Sequence, residues 1–335
     1  MNKKVYIILL NYNGWQDTIE CLESVLKSNY TNYQIIVVDN DSPNNSMDYI
    51  IKWAEGKQEV VYNEASPLKH LSQPFEPKPL DYAYYTKEKA LVGEDKNQGS
   101  NLKSPLIFIQ AGENGGFAKG NNIGINYALA QNDFEYIWLL NNDTVIEKET
   151  LGNFVNSFTQ KSQQIKLGLL GSVQYYYHSP NQIQAAAGGF NKWRGNFWNY
   201  QNLDFKQNEI AYVYGASLLI SKEVIKNVGL LSEEYFMYYE EIDYAERLKS
   251  YGYTQEVDKS LKVFHKHGGT TETLENDFRT YYLEKNKIVF YKKFYSLLLI
   301  IPILKLIKVF LLTSIKQRKV KIVYLKALKD GLINE

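Results

Sequence analysis

The chain has 335 residues, which is enough for one large domain with a full core or for a domain with a substantial appendage. Its 38 Lys and Arg balance 37 Asp and Glu, so no overall positive charge favours nucleic acid, and we expect no nucleic-acid partner. The single cysteine, Cys21, excludes an internal disulfide framework and is compatible with a reducing cytoplasm.

The first 40 residues predict a strand, a helix and a second strand. Residues 5–10 and 35–38 are apolar runs, typical of parallel strands that are covered on both faces. Between them, apolar side chains recur at helical spacing, at Trp15, Ile19, Leu22 and Leu26. Polar clusters follow both strands, at 11–13 and 39–42. We expect ligand-binding side chains there, because ligands bind at the carboxyl edge of an open α/β sheet.

An insertion interrupts this pattern between Glu64 and Ser104, where five of the eight prolines lie within the stretch or directly after it. Regular structure then resumes. The pattern predicts, in chain order, a strand at 106–109, a glycine-rich loop at 114–124, a helix near 123–130, a strand at 136–140, a helix over 151–158, a strand at 167–173, an irregular stretch at 185–200, a strand at 213–220, a short helix from Ser221 to Gly229 and a helix at 240–251.

Four groups of residues are candidates for chemistry, and the first two could act at a metal ion or a phosphate. Asn141, Asn142 and Asp143 end a strand, where a carboxylate could hold Mg²⁺ or Mn²⁺ against a diphosphate; an ordinary turn is the alternative. The glycine-rich loop could bring backbone amides and Lys119 to a phosphate, although a structural turn explains it equally.

Acidic and imidazole groups form the remaining candidates. Glu240, Glu241 and Asp243 crowd the first turn of a helix, where they either cap the helix or include a base of raised pKa. His265 lies in the sequence HKHGG and is either a metal ligand or a structural residue.

Taken in order, six motifs resemble family 2 glycosyltransferases, particularly bacterial rhamnosyltransferase-like members. The matching segments are 8–15 (ILLNYNGW), 37–42 (VVDNDS), 114–122 (NGGFAKGNN), 138–144 (WLLNNDT), 214–217 (YGAS) and 236–243 (FMYYEEID). The resemblance spans roughly residues 5–271 and implies an α/β protein of the GT-A fold, with a mostly parallel, Rossmann-like central sheet flanked by helices and a C-terminal helical tail.

The resemblance also implies site residues. Those near the nucleotide would be Asn11, Asn13, Asp39, Asp41, Asn114, Gly115, Gly116, Phe117, Lys119, Asn122 and Asn142. Asp143 matches the metal-binding carboxylate of the family's D-x-D position, with His265 as a possible further ligand of Mg²⁺ or Mn²⁺. Glu241 matches the base that deprotonates the acceptor hydroxyl for in-line attack, which inverts the anomeric carbon. The acceptor side would include Gly189, Trp193, Trp198, Gly215, Ala216 and Ser217.

Two positions depart from the family pattern. Asn141 stands at the first D-x-D position, which removes one possible carboxylate ligand and leaves strict metal dependence open. Glu241 stands where the family frequently has Asp, so Glu240 and Asp243 are rival candidates for the base. The acceptor-side aromatic residues suit sugar stacking and core packing equally.

The end of the chain predicts a tail that associates with a membrane. Residues 297–312 are almost wholly apolar but shorter than the about 20 residues of a spanning helix, and basic residues flank them. We expect an interfacial helix on anionic lipid; packing on the catalytic domain or on a second copy is the alternative. The predicted division is a catalytic domain at 1–275, with a nucleotide half at 1–145 and an acceptor half at 146–275, followed by a tail at 276–335.

These expectations combine into one function. We expect an inverting transferase that moves a sugar, best taken as rhamnose from dTDP-rhamnose, to a lipid-linked or polysaccharide acceptor in cell-surface glycan synthesis, with a homo-oligomer as a further possibility. The N-terminal apolar run is too short for a signal peptide, so we expect a cytoplasmic protein at the inner face of the membrane. The alternatives are a catalytically degenerate glycan-binding or assembly subunit and, with less support, a sugar nucleotidyltransferase.

Overall fold

The computed structural model describes residues 3–92, 106–266, 276–312 and 318–333. Residues 93–104 of the predicted insertion lie outside these ranges. The same holds for the segment after Lys266, which includes His267, and for Lys316 in the tail.

A central sheet organises the described part of the chain. Its strands and a separate hairpin are β1 Val5–Asn11, β2 Tyr33–Asp39, β3 Tyr82–Thr86, β4 Leu106–Gln110, β5 Tyr136–Asn141, β6 Thr144–Val145, β7 Leu167–Tyr176, β8 Ser179–Ala185, β9 Ala187–Asn191, β10 Asn196–Tyr200, β11 Ser217–Ser221 and β12 Thr254–His265. The sheet order is β3-β4-β2-β1-β5-β11-β7-β12-β6, with β8 paired to β7. Strands β3, β4, β2, β1 and β5 run parallel to one another. Strand β11 lies between β5 and β7 and pairs antiparallel with both.

Helices cover both faces of this sheet. They are α1 Trp15–Leu26, α2 Ser46–Ala54, α3 Lys69–Ser72, α4 Lys87–Val92, α5 Gly116–Gln131, α6 Thr150–Lys161, α7 Lys222–Val228, α8 Glu240–Ser250, α9 Asn276–Phe294, α10 Ile300–Leu312 and α11 Arg318–Ile333. In β1, Val5, Ile7 and Leu9 face the core under α1 and α6, whereas Tyr6 and Ile8 face the core under α5 and α8. Burial on both faces explains the continuous apolar runs and confirms the predicted α/β class.

The glycine-rich segment is a helix rather than a loop. Helix α5 begins at Gly116, although the sequence predicts a loop as far as residue 124. A Cβ on Gly120 would lie 2.4 Å from Leu10 Cδ1, and one on Gly124 would lie 2.8 Å from Ile8 Cγ2. These glycines therefore let α5 pack closely on β1, and their helical penalty is offset by that packing.

The stretch predicted to be irregular forms a hairpin. Strands β9 and β10 pair antiparallel, and Trp198 lies opposite Gly189. The Trp198 ring covers this glycine so closely that a Cβ there would meet the ring at 2.1 Å. Phe190 stacks on Phe197 at 4.6 Å between ring centroids. Cross-strand aromatic packing, which the irregular residue pattern does not reveal, holds the hairpin together.

One more prediction requires correction. The strand predicted at 213–220 begins only at Ser217, because the chain turns at 215–216 and Gly215 lies against Glu241 of α8. The described part of the predicted insertion contains α3, α4 and the edge strand β3, whose pairing with β4 supplies backbone hydrogen bonds to an otherwise proline-rich stretch.

The C-terminal helices pack on the body of the protein. An aromatic cluster joins α9 to α8 and the hairpin, and its buried members are Tyr235, Tyr239, Ile242, Val289, Phe290 and Tyr291. Lys305 of α10 donates to the Arg194 carbonyl and to Asn196 in the hairpin. Within the described residues, no helix is both long and apolar enough to cross a bilayer.

Candidate functional site

The carboxyl ends of β2, β1 and β5 lie side by side. Asn11 pairs with Asp39, and Leu10 pairs with Asn141 across the parallel ladders. The polar residues that end these strands therefore meet at one sheet edge, as the sequence predicts for a ligand site in an open α/β sheet.

Asp39 is the centre of a buried hydrogen-bond network at this edge. Its carboxylate is 1% exposed and accepts from Asn11 Nδ2 at 2.6 Å, Ser42 Oγ at 2.6 Å, the Ser42 amide at 3.0 Å and Gln110 Nε2 at 3.1 Å. Four donors satisfy the carboxylate in this structure, so Asp39 holds together the ends of β1, β2 and β4.

Exposed residues flank this network. Asn13 and Asp41 both adopt left-handed backbone conformations, with φ of 60°, and both are exposed. Asn142 lies beside Asn11, because its Nδ2 donates to Thr18 Oγ1 at 2.8 Å and to Asn11 Oδ1 at 3.3 Å. The structure thus brings Asn11, Asp39 and Asn142 together, with Asn13 and Asp41 at the rim.

The start of α5 lies beside this sheet edge. Asn114 accepts from Asn40 Nδ2 at 2.9 Å and from the Gly116 amide at 3.1 Å, and the Gly115 amide donates to Asn40 Oδ1 at 3.3 Å. The Phe117 amide donates to the Phe236 carbonyl at 2.9 Å. These bonds fix the first turn of α5 against the sheet edge and against the segment that precedes α8.

Two other predicted nucleotide-binding residues have protein partners. Lys119 pairs with Glu113 at 2.8 Å, and Lys119 and Lys87 together lower the pKa of Glu113 to about 2. Asn122 is 2% exposed, donates to the Leu231 carbonyl at 3.0 Å and accepts from the Leu231 amide at 3.1 Å. Asn122 therefore ties α5 to the loop after α7.

Asp143 and His265 face each other on the far side of β5. Asp143 Oδ1 lies 3.1 Å from His265 Nε2, although the two residues are 122 positions apart. His265 Nδ1 lies 2.7 Å from Gln184 Oε1, and we assign the Nδ1 proton to this hydrogen bond, which turns Nε2 toward Asp143. Burial opposes ionisation of Asp143, but the charge and the hydrogen bond of a His265 ring that is protonated on both nitrogens outweigh this and lower the pKa of Asp143.

The side chains of Asp143 and His265 are of types that bind divalent cations. A carboxylate oxygen and an imidazole nitrogen of fixed tautomer are both ligands of Mn²⁺, and a carboxylate suits Mg²⁺. The described residues contain no group of three or more His, Cys, Asp or Glu side chains that could hold a metal ion. Asn141 Nδ2 lies 3.5 Å from His265 Nε2 at the same place.

Lys266 adds a buried positive charge next to this pair. Its ammonium group lies 2.6 Å from Asp17 and 2.5 Å from Glu20, and its amide donates to the Asp143 carbonyl at 2.9 Å. Burial alone would lower the pKa of Lys266, but the two carboxylates raise it above its ordinary value. The ammonium group therefore stays charged and anchors α1 to the end of β12.

Glu240 and Glu241 open α8 in different surroundings. Glu240 is 4% exposed, and burial, followed by the Glu241 charge, raises its pKa well above the ordinary range. Glu241 is half-buried; burial raises its pKa too, although the Gly215 amide opposes this by donating to the carboxylate. A Cβ on Gly215 would lie 2.2 Å from Glu241 Oε1, so glycine makes this approach possible.

Asp243, the third acidic residue in the first turn of α8, forms ion pairs and a hydrogen bond within the protein. Asp243 is 0% exposed and binds Arg247 Nε at 2.7 Å, Lys293 Nζ at 2.8 Å and Tyr235 OH at 3.1 Å. These contacts leave Asp243 as an ion-pair centre that joins α8 to α9.

The predicted acceptor residues fall into two places. Gly215, Ala216 and Ser217 lie beside Glu241 and β5; the Ala216 carbonyl accepts from the Asn141 amide at 3.0 Å, and Ser217 Oγ accepts from Trp138 Nε1 at 2.9 Å. Trp193, which is 66% exposed, instead lines an open groove of about 370 Å³ with Glu246 and Tyr295.

Several residues at the site escape sequence reasoning. Thr18, Ser42 and Gln184 orient Asn11, Asp39 and His265. Gln184 lies 81 positions from His265, and nothing in the sequence links the two. A hydroxyl residue near a polar strand end is a weak signal for Ser42, which lies in the motif that ends β2.

Comparison with known proteins gives a consistent result. The model of the family described as "Glycosyl transferase family 2" matches residues 6–66 and 94–229, and the gap between these segments falls within the predicted insertion. The chain is 25% identical over 215 residues to the low-salt glycan biosynthesis hexosyltransferase Agl10 of Haloferax volcanii. That match covers 58% of this chain and 66% of the relative.

Two solved structures share the fold of this chain. The mannosyltransferase PcManGT from Pyrobaculum calidifontis, in complex with GDP-Man and Mn²⁺, aligns with a TM-score of 0.54 at 12% identity, over 100% of this chain and 88% of that one. TarS 1–349 of S. aureus, in complex with UDP-GlcNAc, aligns with a TM-score of 0.54 at 14% identity, over 98% and 80%. At these identities the likeness bears on the fold alone, and it confirms the predicted GT-A architecture.

Proposed function

The chain belongs to family 2 of the glycosyl transferases, and from this premise we propose that it is an inverting enzyme that transfers a sugar from a nucleotide-sugar donor. One observation carries the proposal. Asp143 and His265 face each other at 3.1 Å at the sheet edge where the Asn11 and Asp39 network ends β1 and β2. That arrangement supports a proposal in which the nucleoside lies at the Asn11 and Asp39 edge and a divalent cation at Asp143 and His265 would neutralise the diphosphate.

The proposed mechanism assigns a task to each group. The edge that carries Asn11, Asp39 and Asn142, with the first turn of α5, holds the nucleoside. A divalent cation held by Asp143 and His265 would supply neutralisation of the departing nucleoside diphosphate. Glu241 takes the proton of the acceptor hydroxyl as its oxygen bonds to the anomeric carbon, and the bond from that carbon to the diphosphate oxygen breaks. Displacement in one step inverts the anomeric carbon.

Glu241 is preferred over its neighbours for physical reasons. Its carboxylate is half-buried and lies against Gly215, at the position that the motif assigns to the acceptor side. Asp243 is fully buried and committed to Arg247 and Lys293, so its carboxylate does not face a space that an acceptor hydroxyl could enter. Glu240 is more deeply buried and retains its proton to higher pH.

For the donor we propose dTDP-rhamnose, with a lipid-linked or polysaccharide acceptor in cell-surface glycan synthesis. The support is the resemblance of the motifs to rhamnosyltransferase-like members. Agl10 is described as acting in glycan biosynthesis, which agrees with a glycan acceptor. GDP-mannose and UDP-GlcNAc, which the structural neighbours bind, are the competing donors.

We further propose that the tail holds the enzyme on the inner face of the cell membrane, on the cytoplasmic side. Helix α10 exposes a stripe at Ile300, Leu304, Ile307 and Leu311, whose spacing places them along one face. Residues 297–333 contain eight Lys and Arg and a single acid, Asp330. An exposed apolar stripe among basic residues complements an anionic lipid surface.

Donor turnover tests the function. The protein is incubated with dTDP-rhamnose, GDP-mannose or UDP-GlcNAc, with Mg²⁺, Mn²⁺ or chelator, and with a lipid extract as acceptor, and nucleoside diphosphate release is measured. We expect release from one donor that chelator and Asp143→Ala abolish, whereas Glu59→Gln, at an exposed glutamate outside the site, keeps the wild-type rate. Tight donor binding without release, with plausible acceptors supplied, would instead support the glycan-binding subunit.

A further inference from the structure

The segment that leads into Glu240 and Glu241 has an unusual backbone. Tyr238 and Tyr239 are consecutive residues with positive φ, at 66° and 83°. Residues other than glycine adopt this left-handed conformation only where their surroundings hold them in it. Tyr239 is also the N-cap of α8, and its side chain makes no capping hydrogen bond. The direction in which α8 begins therefore depends on contacts from elsewhere.

Asn286 of α9 supplies such a contact. Its side-chain amide is 0% exposed and donates to the Met237 carbonyl at 2.8 Å and to the Tyr238 carbonyl at 3.1 Å. Both bonds use the single nitrogen Nδ2, whereas Oδ1 of the same residue is buried without a hydrogen bond. Burying a side-chain amide lowers stability unless the amide forms hydrogen bonds. The two hydrogen bonds to the Met237 and Tyr238 carbonyls therefore explain why an asparagine is buried at position 286.

The opposite side of the segment is held by α5. The Phe236 carbonyl accepts from the Phe117 amide at 2.9 Å, and a Cβ on Gly116 would lie 2.0 Å from the Phe236 carbonyl oxygen. Residues 236–239 are therefore clamped between the first turn of α5 and the middle of α9. Only the α9 side of this clamp acts through a side chain, which makes it accessible to substitution.

We propose that Asn286 is a positioning residue for glycosyl transfer, holding the left-handed turn at Tyr238 and Tyr239 that sets the first turn of α8 and with it the Glu241 carboxylate. The proposal rests on the proposed role of Glu241 as the base. It places a necessary residue of the site in α9, outside the segment that the family motifs cover. Displacement of a catalytic group by about 1 Å is enough to lower a rate about 10²-fold.

The test uses the full-length chain and two substitutions on α9. Asn286→Leu keeps the approximate shape and removes both donated hydrogen bonds. Tyr281→Phe is the matched control, since Tyr281 OH donates to Asp330 at 2.6 Å and thus joins α9 to α11 without touching residues 236–239. Steady-state kinetics give kcat and the donor KM, and hydrogen–deuterium exchange is followed in the peptide that covers residues 236–243.

For Asn286→Leu we expect kcat to fall by about 10- to 100-fold, the donor KM to stay within about twofold, and exchange in residues 236–243 to rise. Tyr281→Phe should leave all three at wild-type values. Unchanged kcat and unchanged exchange in Asn286→Leu would overturn the proposal, as would an equal response in Tyr281→Phe. If the Leu variant does not fold, Asn286→Asp, which has the same size and places a carboxylate against the two carbonyls, is measured in its place.

The readouts separate this inference from the proposed function. If wild type transfers no sugar from any donor, the proposed function fails, and exchange in residues 236–243 still decides whether Asn286 holds the turn. If Glu241→Gln keeps the wild-type kcat while Asn286→Leu loses it, Glu241 is not the base and the positioning proposal is overturned in its present form. Loss of kcat in both variants, with increased exchange in Asn286→Leu alone, supports both.

Discussion

At the scale of single residues, the two carboxylates that open α8 differ in burial, and this difference assigns their charges. Glu240 is 4% exposed, and its Oε2 has no hydrogen-bond partner in the described part of the chain. Glu241 is half-buried, and its carboxylate accepts a hydrogen bond from the Gly215 amide. Burial raises the pKa of both groups, and the Glu241 charge raises that of Glu240 further. We expect such a pair to share one proton over the neutral range, mainly on Glu240.

The first prediction concerns catalysis by these two residues. Glu241→Gln should lower kcat by about 10²- to 10⁴-fold with little change in the donor KM, because a general base acts in the transition state and not in donor binding. Glu240→Gln should cost less than about 10-fold, because the wild-type side chain already carries a proton. Product formation at saturating donor measures both. A larger loss in Glu240→Gln than in Glu241→Gln would exchange their roles.

The second prediction concerns pH and activity. Burial raises the pKa of Glu241, and Glu240, Tyr212, Tyr214 and Tyr238 also lie in its surroundings. A base of raised pKa is protonated, and inactive, at a higher pH than an ordinary glutamate of pKa about 4.3. The acid limb of kcat should therefore lie clearly above pH 4.3, as measured by rate against pH at saturating donor. A plateau that continues down to pH 4.3 would contradict the assignment.

The third prediction concerns stability. The pKa of Glu240 is raised in the folded state, so the folded chain binds this proton more tightly than the unfolded chain. Its contribution to stability is then present below the unfolded pKa of about 4.3 and is lost as pH rises through the folded pKa. Glu240→Gln should raise Tm by roughly 1–3 °C near pH 8. The gain should vanish near pH 4, and Glu59→Gln, at an exposed glutamate, is the control in the same thermal scans.

At the scale of elements, the sequence reveals periodic structure but not packing distances. The apolar runs at 5–10 and 35–38 identify β1 and β2, because a strand buried on both faces requires them. The glycines of α5 mislead, since glycine favours loops in a sequence and here permits helix-to-strand contact. The hairpin β9–β10 is missed for a related reason: Trp198 covers Gly189 from another strand, and no alternating pattern records that contact.

The fourth prediction follows from these glycines. Gly124→Ala should destabilise the fold by about 1–3 kcal/mol, because its Cβ would lie 2.8 Å from Cγ2 of Ile8, a β-branched side chain that is fully buried in the core. Gly152→Ala in α6 is the matched control. The nearest atom to a Cβ at position 152 would be 3.7 Å away, so there is room for the methyl group. Because alanine has a higher helix propensity than glycine, Gly152→Ala should stabilise the fold by about 0.5–1 kcal/mol. Urea unfolding measures both; equal effects would show that helix propensity alone governs the two positions.

At the scale of the whole molecule, the site gathers residues that are distant in the sequence. Motif resemblance identifies Asp143, His265 and Glu241 individually, but the distance of 3.1 Å between Asp143 and His265 depends on the pairing of β6 with β12. The contribution of α9 is harder to predict. Asn286 lies 48 positions from Tyr238, in a helix whose sequence reads as part of an appended tail, and only the fold shows the two hydrogen bonds. The sequence therefore predicts the chemistry of the site better than its support.

The fifth prediction concerns the tail. Helix α11 also exposes apolar side chains, at Ile322 and Leu325, which are 56% and 49% exposed, and basic residues are frequent in the sequence of both helices. Full-length protein should float with anionic vesicles and bind neutral vesicles more weakly. Binding should fall when NaCl is raised from about 0.1 to about 0.5 M, because the Debye length shortens to a few ångströms.

Substitutions distinguish lipid binding from self-association. Ile300→Glu combined with Leu304→Glu places two carboxylates on the apolar stripe and should reduce vesicle binding at least about 10-fold, since both desolvation and charge repulsion oppose it. Val61→Glu, at a residue that is 52% exposed outside the tail, is the control and should bind as wild type does. Light scattering is recorded on the same samples. A dimer of wild type that the double variant dissociates, without vesicle binding by either protein, would show that this face meets a second copy instead of a membrane.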